Sequence, residues 1–417
     1  MPHSFPASDR VETRDVAGVP VSILLPPRYR HEGNVTRYPV LYILHGGFTW
    51  YGAWLSMTDI EAFTASLPEE QQAIVVMPDG GWGAHMDFNP GPSTWERFET
   101  ESLIDAIDSS YRTIASRSHR AIAGESGGGF GALAEASRHP DLYVAVVAFE
   151  PAITDGMSPV ALAIAAFTQA YYRICPDGPG ESQMRPPPDP ITGEVWYRNA
   201  SPVDLVSNLD GMSIYSASGT GVPCDSQDLG TLANVYPTFV LETRDQVTRF
   251  IAAAEASGVA YTAELPACGL HTYRYFMGDL RRFWPQMVAA FGESEPTSFD
   301  FQSADATRSV WSWTFEADPA RAPEFLDVID ATANRVTLTG SGIETLTTPP
   351  YFSPGETVTL TNAVEPTAVA DPDGRITFHV DLGPAHKLQQ YSPRQRIAEL
   401  TAGGTYWTTR TVIWSTP

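Results

Sequence analysis

The feature that most constrains the fold of this chain is an alternation of apolar runs and helical patterns, which holds to about residue 292. The runs are apolar almost throughout, as in strands of a parallel sheet covered on both faces. They occupy residues 19–26, 39–47, 73–81, 120–126, 143–151, 212–220 and 259–266. Helical patterns lie between them, at about 56–68, 96–114, 128–139, 241–257 and 279–291. Strands that alternate with helices predict an α/β fold with a doubly wound, mostly parallel sheet.

Other parts of the chain depart from this alternation. Residues 152–210 hold an apolar helical pattern, 158–174, and then a loop rich in Pro and Gly, which together predict a cap or lid inserted into the first domain. Residues 293–303 are polar and contain a proline, so they predict a linker after a catalytic domain at 1–292. Residues 304–417 show alternating strand-like runs with turn signals, which predict an all-β sandwich of Ig-like type.

Composition excludes several classes of function. The 417-residue chain has a formal net charge of −23, which repels nucleic acid and anionic lipid. It contains no run of about 18 apolar residues, so no transmembrane segment is expected. The N-terminus lacks the pattern of a signal peptide, which predicts a cytoplasmic protein as written, or a secreted one if a signal preceded this numbering.

The three cysteines predict neither a metal site nor a cofactor site. They show no C-x-x-C spacing, so a zinc site is not expected. Cys175 and Cys224 lie in loop-like sequence and are candidates for a disulfide, although an odd number of cysteines leaves at least one free thiol. No cofactor is predicted.

The motif that carries chemistry is "GESGG" at residues 124–128. It fits the pattern G-x-S-x-G, and it lies between an apolar strand and a helix, which is the setting of a nucleophile elbow. The tight turn predicts a strained Ser126 with an exposed hydroxyl. We expect that positions 124 and 128 require glycine, because side chains there would collide across the turn. The alternative interpretation is a glycine-rich loop at a helix N-terminus.

A serine hydroxyl becomes a good nucleophile when a base takes its proton. In this class of fold the acid follows the serine in the chain, and the histidine follows the acid. His271 lies between the last predicted strand and the last helix, and it is therefore the candidate base. Two acids precede it: Asp225 follows a predicted strand, and Glu242 lies at the start of a predicted helix. The residues alone leave both acids open.

The oxyanion of an acyl-transfer intermediate needs two backbone N–H donors. Gly127 follows the nucleophile and is one candidate, while the other is Gly47 or its neighbour Phe48 in the loop after the strand "LYILHGG". Aromatic residues near these motifs predict an apolar substrate pocket, although each of them is equally compatible with the core: Phe48, Trp50, Trp54, Trp82, Tyr273 and Phe276.

Residues 35–285 resemble the esterase D / antigen 85 (mycolyltransferase) branch of the α/β-hydrolases. The resemblance rests on "YILHGGFTWYGAW", "IVVMPDGGWG", "TWERFETESL", "WYRNASPVDLVSNL" and "GLHTYRYF". It implies an α/β-hydrolase fold, with Ser126 and His271 at the positions of the family's nucleophile and base. The family's acid lies in a Leu-Glu pair that matches Leu241 and Glu242, so the resemblance favours Glu242 over Asp225. The acidic residue and arginine by which mycolyltransferases bind sugar are missing after Gly46, so trehalose mycolyl transfer is not implied.

These observations predict a serine carboxylic ester hydrolase that acts through an acyl-enzyme on small-molecule esters with a relatively apolar acyl group. An acyltransferase that passes the acyl group to a sugar, a lipid or another alcohol uses the same intermediate and stays open. The third hypothesis is a binding protein with a relic triad. It draws on the tryptophans of the tail, which are candidates for carbohydrate or partner binding, although tryptophans in such a pattern more often belong to the sandwich core: Trp311, Trp313, Trp407 and Trp414.

Overall fold

The structure is a computed structural model. It describes residues 8–81, 85, 94–163, 166, 192–228, 237–403 and 406–415. The described residues divide into two compact units, the first within 1–187 and 200–295 and the second within 188–199 and 296–417.

The first unit is built on an eight-stranded sheet with the spatial order β1-β2-β4-β3-β5-β6-β7-β8. Neighbouring strands from β4 to β8 pair in parallel, whereas β1–β2 and β2–β4 pair antiparallel. The doubly wound, mostly parallel sheet predicted from the sequence is therefore confirmed. The strands are β1 Val11–Val16, β2 Val19–Leu24, β3 Val40–Leu44, β4 Ile74–Pro78, β5 Arg120–Glu125, β6 Ala145–Phe149, β7 Ser213–Ala217 and β8 Thr262–Glu264.

Helices follow most of these strands, as the alternation in the sequence predicts. A π-helical turn, Phe98–Ser102, joins α3 to α4, and residues 159–163 form the described part of a further helix. The helices of the chain are α1 Ala53–Met57, α2 Ile60–Ser66, α3 Thr94–Arg97, α4 Leu103–Ser110, α5 Gly127–Arg138, α6 Glu194–Asn199, α7 Pro237–Ser257, α8 Tyr273–Ala290 and α9 Pro393–Thr401.

The sheet is buried on both faces because successive residues of its central strands enter different cores. In β3, Tyr42 and Leu44 belong to one core with Phe250 of α7, while Ile43 belongs to the other with Trp284 of α8. This explains why the runs read as continuously apolar in the sequence. The carboxyl ends of the parallel strands lie at one edge, where the loops that follow them converge.

The second unit contains two antiparallel sheets, which agrees with the predicted β-sandwich. One sheet has the order β10-β11-β14-β17 and the other β16-β15-β18-β13-β12-β9. Trp313 and Trp414 are buried in the core of this unit. The strands are β9 Phe299–Ser303, β10 Thr307–Val310, β11 Trp313–Glu316, β12 Leu326–Ala331, β13 Arg335–Gly340, β14 Ile343–Thr347, β15 Thr357–Thr361, β16 Thr367–Val369, β17 Thr377–Asp381 and β18 Thr408–Ser415.

The unit boundaries differ from the predicted domains in two places. Residues 188–199, predicted as part of the cap, belong to the second unit. The reason is that the Asn199 side chain accepts the Ala304 N–H at 2.8 Å and donates to Asp305 at 3.0 Å. Strand β9 also lies within the predicted linker 293–303, because the side chain of Phe301 packs in the sandwich core.

Among the described residues, no helix has both the length and the apolar character to cross a bilayer. The same residues contain no cluster of three His, Cys, Asp or Glu side chains arranged to bind a metal ion.

Candidate active site

Ser126 occupies the turn between β5 and α5, with φ 56° and ψ −118°. A positive φ is uncommon for a residue with a side chain and is typical of strained turns at functional sites. A Cβ on Gly124 would lie 2.1 Å from the Gly128 carbonyl oxygen, and a Cβ on Gly128 would lie 2.2 Å from the Leu44 carbonyl oxygen. These close approaches confirm the predicted reason for the two glycines: β3, β5 and α5 cross without room for side chains.

Backbone hydrogen bonds join Ser126 to the residues on either side of a buried glutamate, Glu150. The Ser126 N–H donates to Phe149 O at 2.9 Å, and Ser126 O accepts the Ala152 N–H at 2.9 Å. Glu150 lies between these two partners, at the end of β6, with φ 45° and 2% of its surface exposed. The backbone at the elbow therefore fixes Glu150 at the same edge of the sheet as Ser126.

Glu150 is the carboxylate that pairs with His271. His271 Nδ1 lies 2.6 Å from Glu150 Oε2, and the Gly219 N–H donates to Glu150 Oε1 at 3.0 Å. Because the carboxylate accepts, Nδ1 carries the hydrogen and Nε2 of a neutral imidazole is left as the basic nitrogen. The Phe276 ring packs edge-on against His271, with centroids 5.0 Å apart. The orientation of the imidazole is thus fixed on two sides.

The prediction that Glu242 pairs with His271 is wrong. The carboxylate of Glu242, in α7, accepts instead from Gln246 Nε2, one turn along the same helix, at 3.2 Å. The alternative acid, Asp225, forms an ion pair with Arg274 on the surface. The sequence did carry a signal for Glu150, since it is an acidic residue directly after a fully buried strand that neighbours the serine strand.

The loop that holds His271 is joined to the loop after β7. Gly221 N–H donates to Gly269 O, and Gly269 N–H donates to Val222 O, both at 2.8 Å. A disulfide between Cys224 and Cys268 joins the same two loops, with the Cα atoms 5.2 Å apart. The question whether Cys175 and Cys224 pair, which the sequence left open, is answered in the negative, because Cys224 already has a partner; Cys175 lies outside the described residues.

On the opposite side of Ser126, Glu125 binds the loop that follows β3. This carboxylate is 2% exposed and accepts three hydrogen bonds: from Gly46 N–H at 2.9 Å, Trp54 Nε1 at 2.8 Å and the Tyr273 hydroxyl at 2.6 Å. Burial raises the pKa of the Glu125 carboxyl, and the three donors act against that rise. Sequence analysis missed Glu125 because it is the variable x of the motif.

The loop after β3 is a tight turn that begins at Gly46. Gly46 O accepts the Thr49 hydroxyl at 2.8 Å, and Phe48 has φ 63°. Because Glu125 accepts the Gly46 N–H, that group is not available to an oxyanion, and the assignment of the second donor to Gly47 or Phe48 stays a prediction. Gly127 is the first residue of α5, where backbone N–H groups have no partner within the helix.

Two buried histidines support this loop from below. His45 Nε2 accepts the Gly80 N–H at 2.9 Å, which agrees with the structural role expected of this histidine. His85 Nε2 donates to His45 O at 2.8 Å, and His85 Nδ1 lies 2.6 Å from Glu99 Oε1. Burial lowers the pKa of His85 to about 4 and raises that of Glu99 to about 8. Neutral His85 Nδ1 therefore accepts a hydrogen bond from the protonated Glu99 carboxyl, so this pair is buried without charge.

The aromatic residues predicted to form a substrate pocket divide into two groups. Trp54 and Phe276 are buried, and Tyr273 packs on the core and bonds Glu125, so these three support the site from behind. Phe48 is 87% exposed and Trp50 is half-buried, so both are open to a substrate. Trp82 and most of the helix predicted at 158–174 lie outside the described residues.

Comparison with known proteins agrees with this architecture. A family model described as "Putative esterase" matches residues 17–287. The esterase Rv1288 of Mycobacterium tuberculosis is 41% identical over 125 residues, which are 28% of this chain and 26% of that protein. The chain thus spans about a quarter of the length of the curated relatives it matches.

Two solved structures are similar to part of this chain. The MPT51 (FbpC1) structure of Mycobacterium tuberculosis superposes with a TM-score of 0.50 at 16% identity, over 68% of this chain and all of the other. An S-formylglutathione hydrolase from Agrobacterium tumefaciens superposes with a TM-score of 0.49 at 16% identity, over 69% of this chain and 99% of the other. The resemblance to an esterase branch of the α/β-hydrolases is confirmed by the family match.

Proposed function

Because this chain belongs to the putative-esterase family, we propose that it is a serine carboxylic ester hydrolase in which Ser126, His271 and Glu150 form the catalytic triad. The observation that carries the proposal is the 2.6 Å contact between His271 Nδ1 and Glu150, with Glu150 fixed next to the strained Ser126. A nucleophile, a base and a carboxylate that orients the base are the parts that acyl transfer requires.

In the proposed reaction, His271 Nε2 takes the Ser126 hydroxyl proton while Oγ attacks the acyl carbon. The N–H groups of Gly127 and of Gly47 or Phe48 stabilise the oxyanion. Glu150 stabilises the imidazolium that forms. His271 then protonates the leaving alcohol, and it next removes a proton from the water that attacks the acyl-enzyme.

We propose a small-molecule ester with an apolar acyl group as the substrate class. The support is Phe48, which follows the oxyanion-loop glycines and is highly exposed, and the half-buried Trp50 two residues further on. Exposed aromatic surface beside a polar reaction centre is suited to an apolar acyl chain.

Hydrolysis of a p-nitrophenyl ester series from acetate to decanoate tests the proposal. Ser126→Ala is expected to lower kcat by about 10⁶-fold. Ser109→Ala is the matched control, since Ser109 is exposed on α4, and it is expected to leave kcat unchanged. Full activity in Ser126→Ala contradicts the mechanism, and a preference for charged acyl groups contradicts the substrate class.

Product analysis with and without an added alcohol decides between the two fates of the acyl-enzyme. Release of the free acid as the main product in the presence of a sugar or lipid alcohol supports the hydrolase. A new ester as the main product identifies an acyltransferase instead.

A further inference from the structure

The second unit contains a pocket of about 190 Å³ on the outer face of its six-stranded sheet. Three strand residues form its floor: Gln302 of β9 lies opposite Asp327 of β12, which in turn lies opposite Thr339 of β13. Residues directly opposite on antiparallel strands share a face. The flanking residues Leu326 and Val328 are buried in the core, so this row points outward.

Aromatic side chains form the walls of the pocket: Phe325, Tyr391 and Trp407. Phe325 lies on the same face as Asp327, two residues earlier, yet it is only 7% exposed because the segment 390–391 covers it. Its ring packs edge-on to Tyr391 with centroids 6.3 Å apart, and its N–H donates to Gln390 Oε1 at 2.6 Å. The Gln390 carbonyl is thus occupied, and its amide N–H groups are left as donors.

Asp327 is the charged group among the residues that line the pocket. Among the described residues, no hydrogen bond or ion pair reaches its carboxylate, and burial raises its pKa. The carboxylate is half-buried at the floor of the pocket, so it can accept hydrogen bonds from a ligand there. Its strand neighbours are neutral, and the Thr339 hydroxyl is 2.9 Å from that of Thr409.

The chemistry of the pocket favours a neutral polyhydroxylated ring over a cation. The guanidinium of Arg198, in the same unit, lies 4.5 Å from the Tyr391 ring centroid, so positive charge is already present at that wall. The polar lining combines the amide donors of Gln390 with the carboxylate acceptor of Asp327, which suits hydroxyl groups that both donate and accept. An aromatic face packs against the C–H groups of a sugar ring. The volume is below the roughly 300–1,000 Å³ of pockets for drug-sized ligands.

We infer that this pocket, lined by Asp327, Gln302, Gln390, Tyr391 and Trp407, is a binding site for a single neutral sugar ring, free or at the end of a chain. Trp407 provides the stacking surface, and Asp327 accepts from ring hydroxyls. The inference goes beyond the proposed ester chemistry and does not depend on it, since every residue of the pocket belongs to the second unit.

The test is calorimetric titration of the full chain with glucose, galactose, mannose, xylose, arabinose and N-acetylglucosamine. At least one sugar is expected to bind with a dissociation constant of about 1 mM. Trp407→Ala and Asp327→Asn are each expected to weaken binding by about tenfold or more. Their matched controls are Tyr351→Ala and Asp373→Asn, which alter exposed residues of the same unit outside the pocket, and both are expected to bind as the wild type does.

Asp327→Asn preserves the shape of the pocket, so it tests the site even if Trp407→Ala unfolds; thermal unfolding of each variant identifies that case. Failure of all six sugars to bind overturns the inference. Binding that survives both pocket variants also overturns it. So does a titration in which choline binds, sugars do not, and Asp327→Asn abolishes the choline signal.

Discussion

The two sides of Ser126 are each organised by a buried glutamate, but the glutamates differ in what they bind. On the histidine side, Glu150 accepts from an imidazole, a group that becomes charged during proton transfer. On the oxyanion side, Glu125 accepts from a backbone N–H, an indole and a phenol, all of which stay neutral. In the proposed mechanism, Glu150 therefore acts through its charge, whereas Glu125 acts through geometry.

The two sides also differ in how their loops are held. The His271 loop has a covalent tie, Cys224–Cys268, in addition to hydrogen bonds. The loop after β3 depends on hydrogen bonds alone among the described contacts, with Glu125 on one side and His45 on the other. Tyr273 connects the two sides, because it follows His271 by two residues and donates to Glu125.

The largest expected effect comes from removing the charge on the histidine side. Glu150→Gln should lower kcat by about 10⁴-fold, because an amide supports the wrong imidazole tautomer and does not stabilise the imidazolium. Glu242→Gln is the matched control and should change kcat by less than about twofold, since the hydrogen bond that Glu242 accepts among the described residues comes from Gln246. Steady-state kinetics on one p-nitrophenyl ester measures both. The reverse order of effects would assign the acid to Glu242.

Removing the disulfide Cys224–Cys268 tests how much it contributes to the stability of the protein. The double substitution Cys224→Ser with Cys268→Ser opens a crosslink that spans 44 residues and should lower the free energy of unfolding by about 2–4 kcal/mol. Urea unfolding measures the change. The control is wild-type protein treated with a reductant, which should match the double variant. Unchanged stability would show that the hydrogen bonds between Gly221, Val222 and Gly269 suffice.

Neutralising the oxyanion side should have a smaller effect on catalysis. Glu125→Gln leaves at least one of its three donors without an acceptor, which should displace the loop and lower kcat by about 10–100-fold. KM should change little, because oxyanion contacts form mainly in the transition state. Glu101→Gln, on an exposed residue, is the control. A loss as large as that of Glu150→Gln would break the distinction between the two glutamates.

The smallest effect is on the pH dependence of stability, and it comes from the buried pair His85 and Glu99 beneath the loop after β3. The raised pKa of Glu99, about 8, means that the folded protein keeps a proton that the unfolded chain releases above about pH 4.5, so stability falls as pH rises toward 8. The lowered pKa of His85, about 4, gives the opposite trend below pH 6.5. The free energy of unfolding should therefore decline between about pH 6.5 and 8, by about 1–2 kcal/mol.

Glu99→Gln should reduce that decline, because glutamine does not titrate; the neighbouring Glu135, whose pKa is also raised by burial, still titrates in the variant. Urea unfolding of the wild type and the variant at several pH values in this window measures the difference in slope. Glu101→Gln should keep the wild-type slope. Equal slopes for the wild type and Glu99→Gln would show that Glu99 is ionised in the folded protein.

Local patterns predicted the parts of the site that are themselves local. The elbow at Ser126 and the need for Gly124 and Gly128 follow from one turn, in which strand, serine and helix are contiguous. The alternation of strands and helices predicted the sheet for the same reason. His271 was found because a single histidine occupied the loop between the last strand and the last helix.

Pairs of residues that meet only because two strands are neighbours in the sheet were not predicted from the sequence. Glu150 meets His271 because β6 and β7 adjoin in the sheet, and the Gly219 N–H after β7 helps to hold the carboxylate. The Cys224–Cys268 pair likewise depends on β7 lying next to β8. Such contacts join residues distant in the chain, so the sequence signalled Glu150 only as an acidic residue after an apolar run and did not identify its partner.

The most direct test of the account is the rate at which a fluorophosphonate labels the enzyme, with peptide mapping of the adduct. The wild type and Glu242→Gln should be labelled on Ser126 at equal rates, Glu150→Gln should be labelled at least about 10³-fold more slowly, and Ser126→Ala should not be labelled. Labelling on another residue, or equal rates for Glu150→Gln and the wild type, would contradict the assignment of Ser126, His271 and Glu150 as one catalytic unit.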